Sequence, residues 1–221
     1  MRRVWRDNGL SIVLLTLFIM SLVGQSLAGH RHYNDERRDH GEQPMSYGEY
    51  LSSPEFLEVT MENWESEFLQ MGAYVFLTAF LFQRGSAESK DPDKKQEPVD
   101  RKPDPRREGA PGPVRRGGFS LALYRNSLGL AFALLFLVSL LLHAVGGAGE
   151  YNDEQRTHGQ PEQVSVLQYL GTSRFWFESL QNWQSEFLAI AAMVIFSIFL
   201  RQHGSPESKP VDAPHSQTGT E

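Results

Sequence analysis

From Gly9 to Gly29 the chain reads GLSIVLLTLFIMSLVGQSLAG, 21 residues without a charge. A helix needs about 20 apolar residues to cross the ~30 Å hydrocarbon core of a bilayer, so this block directs the reading toward a membrane. A second long block runs from Phe119 to Leu142, broken only by Arg125 and Asn126, and formal charge is absent from Ser127 to Gly149. Two shorter blocks, Phe68–Phe82 and Phe187–Leu200, reach spanning length by taking in Trp64 and Trp183, whose rings suit headgroup depth. Four such blocks without polar faces are hard to keep soluble. The mean hydropathy of −0.38 hides them because the charges lie between the blocks. The first block also has the look of a signal peptide ending at Ala28. Asp7 in the would-be basic region, and a mid-chain copy of the same block, argue that it is retained.

That copy is part of a longer recurrence. At a shift of 118 residues, YNDE at Tyr33–Glu36 falls on YNDE at Tyr151–Glu154, Arg38 on Arg156, His40 on His158 and Gly41 on Gly159. At a shift of 119, Tyr50-Leu51 falls on Tyr169-Leu170, NWESEF (from Asn63) on NWQSEF (from Asn182), and QRGSAESK (from Gln83) on QHGSPESK (from Gln202). The expected fold is therefore all-α and integral to the membrane. Four transmembrane helices form two parallel tandem copies of a helical hairpin, with interfacial helices in the outer loops. Repeat 1 covers 1–90, with spans at about 9–29 and 66–83 and an outer loop at 30–65. A charged, Pro-rich, disordered link follows at 91–117. Repeat 2 covers 118–209, with spans at about 121–145 and 185–201 and an outer loop at 146–184, and 210–221 is a disordered tail.

Charge orients this arrangement. The N-terminal segment carries Arg2, Arg3 and Arg6, and the stretch from Arg84 to Gly118 has ten Lys and Arg. The loop from Gly29 to Ser66 has three Arg against nine acids, and that from Gly146 to Ser185 has two against five. Basic residues favour the cytoplasmic side, which places both termini and the link inside and both loops outside.

Candidate site residues follow from the same map. SSPEF at Ser52–Phe56 is a helix start, with a Ser cap and Pro in the first turn. Glu67 and Glu186 stand at the mouths of the second spans, where a carboxylate invites a functional reading. Thr78 and Ser197 continue their stripes at helical spacing, and Ser21 with Gln25 and Ser139 with His143 are polar pairs on the first spans. Asn63, Asn182, Arg38, Arg156, His40 and His158 recur in both copies, and Trp64 and Trp183 are expected as interfacial anchors. Each copy supplies one recurring His and no second soft ligand, so no metal site and no cofactor is expected. Zero cysteines exclude disulfides and thiolate chemistry. No nucleophile elbow, phosphate loop or paired-His metalloprotease pattern occurs, so no catalytic residue is expected, and nothing supports nucleic-acid binding.

The phrases GQSLAGHRHYNDE, NWESEFLQM, FLFQRGSAESKDPD and RFWFESLQNWQSEFL resemble an uncharacterised family of bacterial integral membrane proteins, a domain of unknown function. The resemblance covers nearly the whole chain except the link. It implies a bacterial plasma-membrane protein and carries over no catalytic residue, ligand or partner. The leading expectation is a non-enzymatic structural or interaction protein of the cell envelope. Its partners are the lipid bilayer and either further copies of itself or other membrane proteins. The alternative is a small transporter or channel with a polar interior near Glu67 and Glu186, and an outer-face enzyme stands third.

Overall fold

The computed structural model describes residues 2–159 and 163–219. Met1, residues 160–162 of the second outer loop and residues 220–221 of the tail lie outside the described residues. The described chain is helical and contains no strand. Helix α1 covers Arg2–Asp39, α2 Tyr47–Tyr50, α3 Pro54–Phe80, α4 Gly112–Arg116, α5 Gly118–Arg125, α6 Ser127–Thr157, α7 Val166–Tyr169 and α8 Ser173–Phe199, with a 3-10 turn at Pro98–Asp100.

Three of these helices are long and apolar enough to cross a membrane: α1 over Arg3–Asp39, α6 and α8. The expected span at 66–83 falls in α3, which is as long as α8 at 27 residues. It is not among the three because Glu65, Glu67 and Gln70 precede its short apolar stretch and the helix ends at Phe80, before Leu81 and Phe82. The expected span at 121–145 is interrupted. Asn126 is the C-cap of α5, its N–H donating to Leu123 O and Tyr124 O, and its side chain donates to Ala122 O at 2.8 Å. The uninterrupted helix therefore starts at Ser127.

In the first outer loop α3 is preceded by the short helix α2. Ser53 caps α3, its Oγ accepting from Phe56 N at 3.2 Å, and Pro54 opens a single helix. The short helices α2 and α7 instead begin with twin capping boxes, Ser46 with Glu49 and Ser165 with Gln168.

The chain forms two compact units. The first comprises Met1–Met61 and Leu142–Phe175, the second Glu62–Leu141 and Trp176–Glu221. The first has an aromatic core, with Tyr33, Tyr50, Tyr169 and Phe175 buried alongside Ala144 and Ala148. In it, several residues of the recurring Y-N-D-E-x-R-x-H-G pattern have the same local task in both copies. Asn34 brackets Met45, accepting from its N at 2.6 Å and donating to its O at 2.9 Å. Asn152 brackets Val164 in the same way, at 2.7 and 3.0 Å. Asp35 pairs with Arg38 and Asp153 with Arg156. Gly41 and Gly159 stop α1 and α6 at φ 74° and 71°, a left-handed conformation that glycine adopts without strain.

In the second unit the two QxGSxESK phrases fold into the same turn. Ser89 Oγ accepts from Gln83 N at 2.8 Å and Ser208 Oγ from Gln202 N at 3.0 Å. Lys90 donates to Ala79 O and Asp100. Lys209 is buried and donates to the carbonyls of Gly85, Pro214, His215 and Gln217. Burial, and then the nearby Arg201, lower its pKa.

Candidate functional site: buried carboxylates of the first unit

Within the first unit, helix α6 reaches its first charge after the apolar run at Glu150, beyond the expected span. Glu150 is 7% exposed, and Glu58, on the second turn of α3, is 4% exposed. Glycines at 146 and 149 allow this burial. A Cβ at 149 would lie 2.6 Å from Pro54 Cβ, and one at 146 would lie 2.5 Å from Glu58 N. Small residues here permit the close approach, as they do between membrane helices.

Glu58 accepts from Tyr169 Oη at 3.1 Å and faces Arg174 at 3.9 Å. Arg174 also pairs with Glu154 at 2.5 Å. His143, fully buried, stacks on Phe175 with ring centroids 4.9 Å apart, and a ring nitrogen lies within 4.8 Å of the Glu58 carboxylate. Among the described residues, Glu150 Oε2 and Thr60 Oγ1 are buried without a hydrogen-bond partner.

A carboxylate removed from water and ringed by like charges holds its proton. Burial first, then Glu55, Glu58, Glu154 and Asp153, push the Glu150 pKa up to about 8. Glu55 is raised as well, by burial and then by Glu36 and Glu154, against a lowering influence from Arg174. Tyr33 and Tyr50 are each pushed up to about 12, chiefly by burial. At neutral pH the arrangement therefore keeps a neutral carboxylic acid at Glu150 beside the ion pairs of Arg174.

The sign of the resulting pH dependence follows from linkage. Folded, Glu150 binds a proton that it loses near 4.5 in the unfolded chain. The stability that Glu150 contributes is then fully present below about 4.5 and is lost progressively as pH rises toward 8. Thermal unfolding of the detergent-solubilised protein should show this decline, and Glu150→Gln should flatten it and be the more stable protein above pH 8.

The residues singled out from sequence lie elsewhere. Glu67 is exposed and Glu186 half-buried, its carbonyl accepting from Gln70 at 3.0 Å. Thr78 bonds back to Tyr74 O at 2.8 Å. Ser197 is buried and bonds Ser86 Oγ at 2.9 Å and Ala87 N at 3.2 Å. Arg38 and Arg156 are exposed partners of the neighbouring aspartates. Asn63 O accepts from Ser66, and Asn182 donates to Glu62 at 2.5 Å. Trp64 stacks on Phe68. Trp183 donates to the buried Glu65 at 3.2 Å and packs on Phe136 and Trp176, so its indole is held within the second unit. Of the recurring residues, His40 and His158 are brought together, with ring centroids 6.1 Å apart. Glu58, Glu150, Arg174 and Tyr169 were missed as a group. The one signal for them was an acid, Glu150, directly after the small-residue run GGAG at 146–149.

The chain belongs to the family described as Domain of unknown function (DUF6766), which matches residues 1–220. No curated protein and no solved structure matches it.

Proposed function

We propose that this member of the family is a multi-pass protein of the bacterial plasma membrane that serves a structural or interaction role in the cell envelope and is not an enzyme. The observation that carries the membrane reading is the exposure of apolar side chains along the long helices. Leu10, Leu14, Leu17 and Met20 of α1 and Leu128, Leu134, Leu137 and Leu141 of α6 are each more than 45% exposed. Water does not tolerate contiguous apolar surface on this scale, whereas lipid covers it without cost.

We read α3 as the fourth span. Phe76, Phe80, Leu81 and Phe82 at its end are all more than half exposed, which supports lipid contact there. The matched capping boxes, asparagine brackets and serine turns support two copies of one hairpin. Two spans per copy make those copies parallel, and the basic link and termini then lie in the cytoplasm. An apolar cleft of about 1380 Å³ in the second unit, walled by Phe68, Phe76, Leu130 and Phe136 with Lys90 and Arg125 at its polar end, suits acyl chains of surrounding lipid. Other membrane proteins or a second copy are the expected protein partners, and nucleic acid is not.

A structural role is favoured over transport because the stripe residues Thr78 and Ser197 spend their hydroxyls on bonds within the protein. The chain lacks cysteine, so Thr78→Cys and Ser197→Cys can each be probed alone with a membrane-impermeant maleimide on intact cells. A packed interior leaves both unlabelled until detergent denaturation. Labelling of either in intact cells would reveal a water-filled path and move the assignment to a transporter or channel.

A further inference from the structure

We propose that His40 and His158 together form a binding site for a divalent transition-metal ion of the zinc, nickel or copper kind. Each histidine follows the last turn of a long helix, α1 or α6, and both side chains are exposed. The Nδ1 of His40 contacts Glu36 O at 2.9 Å, and that of His158 contacts Glu154 O at 2.8 Å. A carbonyl oxygen only accepts, so both protons sit on Nδ1 and both Nε2 atoms carry a lone pair. This is how a backbone carbonyl orients a metal-binding imidazole and fixes its tautomer.

The spacing agrees with a shared ion. A metal–nitrogen bond of about 2.0–2.1 Å plus a ring radius of about 1.1 Å places each centroid about 3.2 Å from the ion. Two rings on one ion then have centroids roughly 5.2 Å apart at the tetrahedral angle and about 6.4 Å apart when opposed. The observed 6.1 Å, with the ring planes at 70°, lies inside that interval.

The surroundings favour a cation and hold the pair in place. Both rings stand at helix C-termini, where the aligned peptide dipoles present partial negative charge. Glu42, just after α1, accepts from Thr157 Oγ1 at 2.8 Å, and its other oxygen pairs with Arg37 at 2.9 Å. That bond ties the end of α6 to the loop following α1, so the two imidazoles do not meet by the chance drift of free side chains. Water completes the coordination. Each copy of the sequence pattern offers one histidine, and the fold supplies the second soft ligand by bringing the copies together.

The test uses the full-length protein, purified in detergent with a tag that contains no histidine and stripped with chelator. Nickel or zinc alone is titrated by calorimetry, and copper by electron paramagnetic resonance. Wild type should bind one ion per chain, with nitrogen hyperfine structure from two imidazoles. His40→Ala and His158→Ala should each weaken binding tenfold or more, and the double variant should bind more weakly than either single one. His32→Ala should leave affinity unchanged, and circular dichroism should confirm that the variants are folded. Unchanged affinity in either single variant, or loss of the site with His32→Ala, would overturn the proposal.

Discussion

Arg174→Met should destabilise the first unit by about 1–3 kcal/mol, the scale of leaving the buried Glu58 carboxylate without its charged partner. The guanidinium lies among Glu154 at 2.5 Å and Glu58 at 3.9 Å and lowers the pKa of Glu55. Without it, the buried Glu58 and the half-buried Glu55 face Glu154 with no cation at that position. Thermal unfolding in detergent at pH 7.5 reads the loss. Acidification to pH 5 should recover part of it, because protonated carboxyls no longer need the cation. Arg174→Lys should fall between, keeping charge but not the two-sided reach of the guanidinium. Equal stability of wild type and Arg174→Met at pH 7.5 would mean that the carboxylates are solvated.

Gly146→Ala is the second large effect. A methyl group there would sit 2.5 Å from Glu58 N, 2.8 Å from Glu58 Cα and 3.0 Å from Pro54 O. These are backbone atoms of the capped first turns of α3, so no side-chain rotation relieves the overlap, and α6 and α3 must move apart. Overpacking of this kind costs about 1–3 kcal/mol and sometimes more. Gly129→Ala in the same helix is the control, since a Cβ there meets nothing within 4 Å. It should be neutral or stabilise by up to about 1 kcal/mol through the lost backbone freedom. Comparable melting temperatures for the two alanine variants would contradict the close approach.

The recurrence and the long apolar helices were legible in the sequence because they depend on local chemistry. Caps, asparagine brackets, stop glycines and serine turns act over a few residues, so a phrase repeated in sequence returns as a bond repeated in structure. The carboxylate cluster was hidden because it is assembled where the two copies differ. Glu55 corresponds to Arg174, Glu58 to Phe177, and Glu150 to His32. Attention to what recurs passes over such positions, although an acid in one copy facing a base in the other is how a duplicated unit gains a complementary contact.

Glu65 and Glu67 differ for a geometric reason. Both precede the apolar stretch of α3, but two residues are about 200° apart around a helix, so they occupy nearly opposite faces. Recurrence favoured Glu67, which is exposed, whereas Glu65, matched by Gln184 in the second copy, is fully buried and accepts from Trp183. His40 and His158 were found in sequence, but their proximity depends on tertiary structure that spacing does not encode.

The central claim is a four-span membrane protein with both loops outside and the link inside, and single-cysteine labelling of intact cells tests it most directly. Asp39→Cys reports the first loop, Leu167→Cys the second and Lys102→Cys the link, all at exposed positions in a chain free of native cysteine. The account predicts that an impermeant maleimide labels 39 and 167 in intact cells and reaches 102 only after permeabilisation. Labelling of 102 in intact cells, or of one loop without the other, would contradict it. The latter result would mean that α3 does not cross and that the chain has an odd number of spans.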